Sequence, residues 1–298
     1  MTRLLITGAT SYVGVSVANY LKKWPDEFQV DAISLVDGSW RETSFRGYDA
    51  VFHVAGIVHD KKTKDDPAQA ELYDRVNHRL AVETARKAKD EGVGQFIFMS
   101  TAGVYGLTAP LGQELLIRRD TALSPSDNYG TSKLRAEEDL RKLADDHFRM
   151  VILRPPMIYG KGCKGNYVTL AKLAKKLPIF PNVENRRSVL YIDNLSELIR
   201  LLLEDRAEGT YCPQDSSYIS TSWMVKQIAR ENGRKIYLVG GFTWMLKLLR
   251  RRFAAVDKAF GSLCYDPELS AYPRDYHVKT PEEAIRETEG IGALEESL

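Results

Sequence analysis

The sequence predicts an α/β protein, a doubly wound parallel sheet with a smaller α/β domain for substrate. Three observations predict it. Short apolar strands alternate with helical runs through the first half of the chain. The first strand runs into a glycine turn and then a helix. After Gly160 the patterning changes, and a loop rich in Gly, Lys and Asn follows. At 298 residues the chain is long enough for one large core or two unequal domains.

Taken in order, strands are expected at 3–6, 28–33, 50–54, 95–100 and 149–153. Helices are expected at 13–24, 66–91 and 129–146. The opening is the most specific element. Arg3-Leu4-Leu5-Ile6 leads directly into Thr7-Gly8-Ala9-Thr10-Ser11-Tyr12-Val13-Gly14 and a helix. Gly8 would allow a tight turn, and Gly14 would let the helix pack close on the strand. The helix N-terminus would present N–H groups and a partial positive charge to a pyrophosphate. Only a polar stretch with Ser34 to Trp40 separates Val30 from Ala50, too little for a helix and a further strand, so that crossover is expected to be truncated. Beyond Gly160 the sequence predicts a helix at Tyr167–Leu177, a return to the sheet domain around 188–203, and a lid to the end. The domains are therefore drawn as 1–160 with 188–205, and 161–187 with 206–298.

Tyr129 and Lys133 lie four residues apart at the start of a helical run, which places both on one face. An ammonium beside a phenol favours the phenolate and lowers the tyrosine pKa from about 10. Such a tyrosine can exchange a proton with a carbonyl or alcohol oxygen near neutral pH. Alone, the pair would read as an ordinary solvated helix. The strand–glycine–helix opening upstream makes it a candidate catalytic pair.

Composition excludes several classes. A net charge of +2 leaves no footprint of nucleic-acid binding. Cys163, Cys212 and Cys264 are scattered, odd in number and without a CxxC, so neither a disulfide frame nor a zinc or other metal site is expected. The first strand begins at residue 3, leaving no room for a signal peptide, and no run of about 18 apolar residues occurs. A cytoplasmic enzyme without a membrane span is the expectation.

These motifs resemble those of the extended short-chain dehydrogenase/reductases, the superfamily of nucleotide-sugar epimerases, dehydratases and reductases, over nearly the whole length. The family's TGxxGxxG opening appears with Gly8, Ser11 and Gly14, so Ser11 replaces the middle glycine. HxAA appears as His53-Val54-Ala55-Gly56. The strand and loop from Phe96 to Gly106 match the segment carrying the catalytic hydroxyl, with Thr101 for the commoner serine. Tyr129 and Lys133 match YxxxK, Arg154–Gly160 matches RPxxVYG, and Arg187–Asp193 matches the motif whose arginine holds a sugar-nucleotide diphosphate.

The resemblance implies a Rossmann fold and NAD or NADP as cofactor. It implies dinucleotide contacts from Gly8, Thr10, Ser11, Tyr12, Val13 and Gly14, from Ser34, Asp37 and Gly38, and from Val54, Ala55 and Gly56. Asn77, Ser100, Tyr129, Lys133 and Pro155 complete that set, with Tyr159 beside Pro155 in the nicotinamide wall. Ser34 stands where NAD-preferring folds carry an acid for the ribose. Nothing there repels a 2′-phosphate and Arg41 is close in sequence, so NAD against NADP stays open. Tyr129 is the implied acid/base, assisted by Lys133, with Thr101 orienting the substrate oxygen. Arg187 is implied at the diphosphate, and Lys164 and Asn166 at the sugar and phosphate. His53 reads as structural, and His59 as a residue within reach of the sugar.

Ala102-Gly103 follow Thr101 where 4,6-dehydratases carry an acidic pair, so dehydration is not expected. A 4-epimerase or a 4-ketoreductase acting on a UDP-sugar remains, in the branch that serves bacterial polysaccharides, and the motifs do not separate them. A catalytically weak NAD(P)-binding sensor or scaffold is the reading from another class, although such members usually lose Tyr or Lys of the pair. The long helix and the Tyr129 helix occupy places that form a homodimer bundle in relatives. The stretch 242–253 is apolar, aromatic and basic. It is either a lid helix or a weak membrane-surface contact, and the second would make a lipid-linked sugar a plausible substrate.

Overall fold

The computed structural model describes residues 1–58, 67–241, 243–250, 252–253 and 255–290. His59 lies outside the described residues. The chain forms two compact units. One comprises Met1–Gly106, Thr121–Pro155 and Leu195–Cys212, and the other Leu107–Asp120, Pro156–Asn194 and Pro213–Leu298.

The first unit is built on a six-stranded sheet. Its spatial order is Gly209–Tyr211, Arg149–Leu153, Gln95–Met99, Ala50–His53, Thr2–Thr7, Phe28–Ile33, and every pairing is parallel. Ala50–His53 and Gln95–Met99 are buried at every position, as strands covered on both faces must be. That burial explains why they read as continuous apolar runs rather than as alternation. Phe96, Phe98, Val51 and Ile152 pack with Ala81, Ala85 and Ala88 of the helix Leu80–Asp90 and with Ala136 and Leu140 of the helix Asn128–Arg141.

The link from Ile33 to Ala50 holds only the short 3₁₀ turn Ser39–Arg41, so the truncated crossover is present. The expected single helix at 66–91 is instead Pro67–Tyr73, a π-helical turn Asp74–Arg79, and Leu80–Asp90. Such a turn inserts an extra residue per turn and often marks a functional position. Here it contains Asn77, which has no exposed surface. Gly209–Tyr211, placed with the smaller domain on sequence, is the edge strand of the main sheet. Three residues carry no readable period.

In the second unit the strand Val189–Tyr191 pairs with Met157–Tyr159, apart from the main sheet, and the return to the sheet domain expected around 188–203 begins at Leu195. Two further parallel pairs are Glu114–Ile117 with Ser262–Tyr265, and Ile179–Pro181 with Tyr237–Val239. The helices Asn166–Lys176 and Pro281–Glu289 both pack on Thr221–Glu231. Cys163, Cys212 and Cys264 are free and buried. No helix among the described residues is long and apolar enough to cross a membrane.

Candidate active site

The parallel register aligns the carboxyl ends of the central strands: Thr7 stands opposite His53, His53 opposite Phe98, and Phe98 opposite Ile152. Loops leaving those ends are where open α/β sheets bind ligands. The first such loop is held by glycine. Gly8 has φ +118°, and a Cβ there would stand 2.8 Å from the Ala55 nitrogen. Gly8 and Ala9 both donate to the Ile33 carbonyl, at 2.9 and 3.1 Å. A Cβ on Gly14 would meet the Ile6 and Val54 methyls at 3.0 Å, so the helix lies directly on the strand ends. Ser11 is the N-cap residue, extended at φ −65° and ψ 133°, a conformation that does not need glycine, and its hydroxyl makes no capping bond. A helix start left without a side-chain cap, beside one position that admits no Cβ and a second that is crowded, fits a dinucleotide pyrophosphate.

The next loop carries Ser34, Asp37 and Gly38. Ser34 is exposed, and its hydroxyl accepts from Val36 N at 3.3 Å. Asp37 accepts from the Ser39 hydroxyl at 2.7 Å and the Ser39 N–H at 3.1 Å, which lowers its pKa. Gly38 has φ +79°. Arg41 is held by Glu83, with Nη2 donating to Oε2 at 2.7 Å, and lies over the Trp40 ring.

Val54, Ala55 and Gly56 follow the third strand. A Cβ on Gly56 would approach Asn77 Oδ1 to 2.9 Å and Lys133 Nζ to 3.5 Å. Asn77 fixes this loop like a paired strand would. Its Oδ1 accepts from Ile57 N at 2.9 Å, and its Nδ2 donates to Ile57 O at 3.0 Å and to Ser132 Oγ at 3.2 Å. The π-helical turn supplies the side chain for this contact.

Thr101 and Tyr129 are hydrogen-bonded to each other. Thr101 is extended at φ −161°, and its hydroxyl also accepts from Gly103 N at 3.0 Å, capping the 3₁₀ turn Ala102–Tyr105. Thr101 is thus both the capping hydroxyl of this turn and a partner of Tyr129. The neighbouring Gly130 lets the helix meet the loop, since a Cβ there would be 2.6 Å from Gly103 O. Asp127 caps that helix by accepting from Gly130 N at 2.8 Å. Pro155 O accepts from Ala102 N at 2.9 Å, tying the RPxxVYG segment to the loop after Thr101.

Lys133 is buried, its Nζ donating to Met99 O at 2.8 Å and lying 4.6 Å from the Phe98 ring centroid. Burial lowers its pKa to about 7, against the opposing charge of Glu137. Burial also pushes Tyr129 up to about 12, and the bond to Thr101 offsets only part of this. The sequence expectation that Lys133 depresses the Tyr129 pKa is thus corrected for the protein as it stands. Helical spacing puts both side chains on one face, but Nζ is directed to the Met99 carbonyl, and desolvation, with Asp127 and Tyr73 acting in the same direction, outweighs the bond from Thr101.

Two residues behind this group were not singled out from sequence. Glu137, with no exposed surface, accepts from Arg154 Nη2 at 2.6 Å, from Arg154 Nε at 3.0 Å, from Ser100 Oγ at 2.5 Å and from Arg141 Nη2 at 2.9 Å. Arg154 also donates to the Tyr105 hydroxyl at 3.0 Å. The signal was present: Glu137 stands four residues after Lys133, on the same helical face. His53 is buried, its Nδ1 bonded to Thr7 Oγ1 at 2.9 Å and its ring stacked against Phe96 and Phe98. Burial, with Lys133 secondary, drives its pKa down to about 3, so it is neutral.

In the second unit Arg187 is half-buried and donates to the carbonyls of Lys258 at 2.6 Å and Gly261 at 3.2 Å. Among the described residues no carboxylate pairs with it. Lys164 and Asn166 are exposed on either side of Gly165, where the helix Asn166–Lys176 begins. Tyr159 departs from its expected place in a nicotinamide wall. It is wholly buried, donates to Asp215 Oδ2 at 2.9 Å and stacks on Tyr167. Asp215 also accepts from Tyr191 N at 2.8 Å and Asn194 Nδ2 at 2.9 Å, while burial raises its pKa to about 6.

Comparison with known proteins agrees with this frame. The family model described as NAD dependent epimerase/dehydratase family matches residues 4–212. A UDP-glucose 4-epimerase of Vibrio cholerae is 30% identical over 287 residues, 88% of this chain and 87% of that one. The N-acetyl-alpha-D-glucosaminyl-diphospho-ditrans,octacis-undecaprenol 4-epimerase of Escherichia coli O157:H7 is 26% identical over 298 residues, covering 90% and 87%. The crystal structure of dTDP-4-dehydrorhamnose reductase from Bacillus anthracis in complex with NADP superposes with a TM-score of 0.70 at 20% identity, covering 96% of this chain and 98% of that one, which supports the fold. A glycine-lined dinucleotide turn, a hydrogen-bonded Thr–Tyr pair with a buried lysine, and a family match over most of the chain lead to one assignment: the chain belongs to the NAD dependent epimerase/dehydratase family, whose cofactor is a nicotinamide dinucleotide.

Proposed function

We propose that the protein interconverts alcohol and ketone at C4 of a UDP-hexose or UDP-N-acetylhexosamine. The observation that carries this reading is the Thr101–Tyr129 hydrogen bond beside buried Lys133, at the ends of strands whose first turn is shaped for a dinucleotide. NAD or NADP, when bound, supplies or accepts the hydride. Tyr129 gives a proton to the C4 oxygen or takes it back. Its high proton affinity favours the protonated, donating form at neutral pH. Thr101 bonds the same oxygen and orients it. Lys133, on the same helical face and held by the Met99 carbonyl, is the residue that the family resemblance sets at the nicotinamide ribose. Arg187 carries a guanidinium free of any described carboxylate, suited to two oxygens of a diphosphate at once, with Lys164 and Asn166 assisting.

Epimerisation is the first reading, in keeping with the two curated relatives. A 4-ketoreductase is the second, favoured by Ser11 and by the exposed Ser34 in place of a ribose acid, since a reductase must exchange its cofactor each cycle. NMR of UDP-sugars incubated with the protein, with and without NAD(P)H, tests both. Product without added cofactor, and NAD⁺ that survives dialysis, mark the epimerase. Strict dependence on NAD(P)H marks the reductase, and no turnover of any UDP-sugar would favour a sensor or scaffold. The setting we infer is cytoplasmic synthesis of surface polysaccharide. The same C4 chemistry could act on a sugar carried on a lipid diphosphate, as named for the E. coli relative. A homodimer, implied by resemblance, would close over a charged face. Arg79, Arg86, Arg135, Glu138 and Arg141 are exposed on the helical faces concerned, with no large exposed hydrophobic among the described residues there.

A further inference from the structure

The helix Thr243–Leu249 is apolar on the side where a surface helix should be polar. Leu246 is buried on its inner side, with 5% exposed, yet Trp244 is 69% exposed and Leu248 60% exposed. These two are four residues apart and share one face with Lys247. Leu249 is also exposed, and Phe253 beyond the helix is 55% exposed. Tyr237, on the strand leading toward this helix, is 65% exposed. Ile179, opposite Tyr237 in the paired strand, is 49% exposed and Leu177 nearby is 38% exposed, whereas Leu107 and Val278 are exposed singly, which needs no explanation. A cluster of this kind marks an interaction surface.

Charge identifies what the surface meets. Between Glu231 and Asp257 the sequence has no carboxylate, and it carries Arg234, Lys235, Lys247, Arg250, Arg251 and Arg252. This concentration stands out in a chain whose net charge is only +2. Arg250 is paired with Asp257 at 3.0 Å. Lys247 and Arg252 are exposed beside the apolar side chains. A twofold contact with a second copy would set these cations against their own images. An anionic bilayer surface attracts them and takes up tryptophan, phenylalanine and leucine at its headgroup boundary.

We propose that the face formed by Trp244, Lys247, Leu248, Arg252 and Phe253 docks the protein on anionic phospholipid membrane. The docking is peripheral and reversible, because one short amphipathic segment supplies it. It is independent of the reaction assigned above, and it would bring the enzyme to a surface where a sugar diphosphate on a lipid is presented.

The test is flotation of the full chain with phosphatidylcholine vesicles, with and without phosphatidylglycerol. The protein is expected to float with the phosphatidylglycerol vesicles, to remain below with pure phosphatidylcholine, and to be released by salt. Trp244→Ala with Leu248→Ser and Phe253→Ser, and separately Lys247→Glu with Arg252→Glu, should each reduce the bound fraction roughly tenfold or more. Thermal melts by circular dichroism confirm that the variants are folded, and turnover of a soluble nucleotide sugar should be unchanged. Failure of the parent protein to float, or variants that float like the parent, would overturn the proposal. So would a dimer, detected by light scattering, that the same variants dissolve and vesicles leave intact.

Discussion

Glu137 and Arg154 form a bidentate ion pair in the interior of the first unit, with Nη2 to Oε2 at 2.6 Å and Nε to Oε1 at 3.0 Å. Glu137 has no exposed surface and also receives Ser100 and Arg141. Removing one partner leaves a buried charge unmatched. Glu137→Ala should therefore cost roughly 3–5 kcal/mol in urea unfolding. The surface pair Lys142–Asp139, where the lysine is 74% exposed, gives the control: Lys142→Ala should cost less than about 1 kcal/mol. Equal losses at the two sites would show that the buried pair is not what holds the strand end and the Lys133 helix together.

Gly56 sits where Asn77 closes the loop after the third strand. A methyl group there would press on Asn77 Oδ1 at 2.9 Å. Gly56→Ala should lose about 1–3 kcal/mol of stability through overpacking and weaken cofactor affinity, because the loop of Val54 and Ala55 must shift. Calorimetry with NAD⁺ and NADP⁺ reads the second effect. Unchanged affinity for both would separate this loop from the dinucleotide site.

His53 makes stability depend on acid. Its pKa is about 3 in the folded protein against an ordinary 6.5. Below about pH 6.5 the unfolded chain binds the extra proton and the folded one does not, so stability falls as pH falls through that window and is fully present above it. His53→Gln has no such titration. Between about pH 7 and pH 5 the parent should lose roughly 2 kcal/mol more than the variant. Parallel curves for the two proteins would mean that His53 titrates normally.

Arg187 tests the substrate class. Arg187→Ala should weaken UDP or a UDP-sugar by about 10–100-fold, the equivalent of roughly 1.5–3 kcal/mol for a charge-assisted contact, while leaving the nicotinamide cofactor bound as before. Equal UDP affinity in mutant and parent, by calorimetry, would refute the diphosphate role.

Much of this frame was legible because it rests on local sequence. The strand Thr2–Thr7, its glycine turn and the Tyr129–Lys133 spacing each occupy a short window, and their chemistry follows from residue type. Features that depend on distant partners were not legible. Asn77 was placed by resemblance, but its grip on Ile57 comes from a π-helical turn with no sequence period of its own. Gly209–Tyr211 joins the main sheet through pairing with Val151–Leu153, and nothing in three residues announces that partner. The direction of the Tyr129 shift was missed for the same reason. Spacing reports which face a side chain shares, whereas the pKa follows from how much protein surrounds it.

The central claim is that Tyr129 exchanges the substrate proton. The most direct measurement is the turnover of Tyr129→Phe on the UDP-sugar that the parent converts, with fold and cofactor affinity checked on the same preparation. Only a hydroxyl is lost, so the variant should fold and bind NAD(P) nearly as the parent does, while turnover falls by about 10²–10⁴-fold. Turnover at the parent's rate would remove Tyr129 from the mechanism and with it the Thr101–Tyr129–Lys133 account of this site.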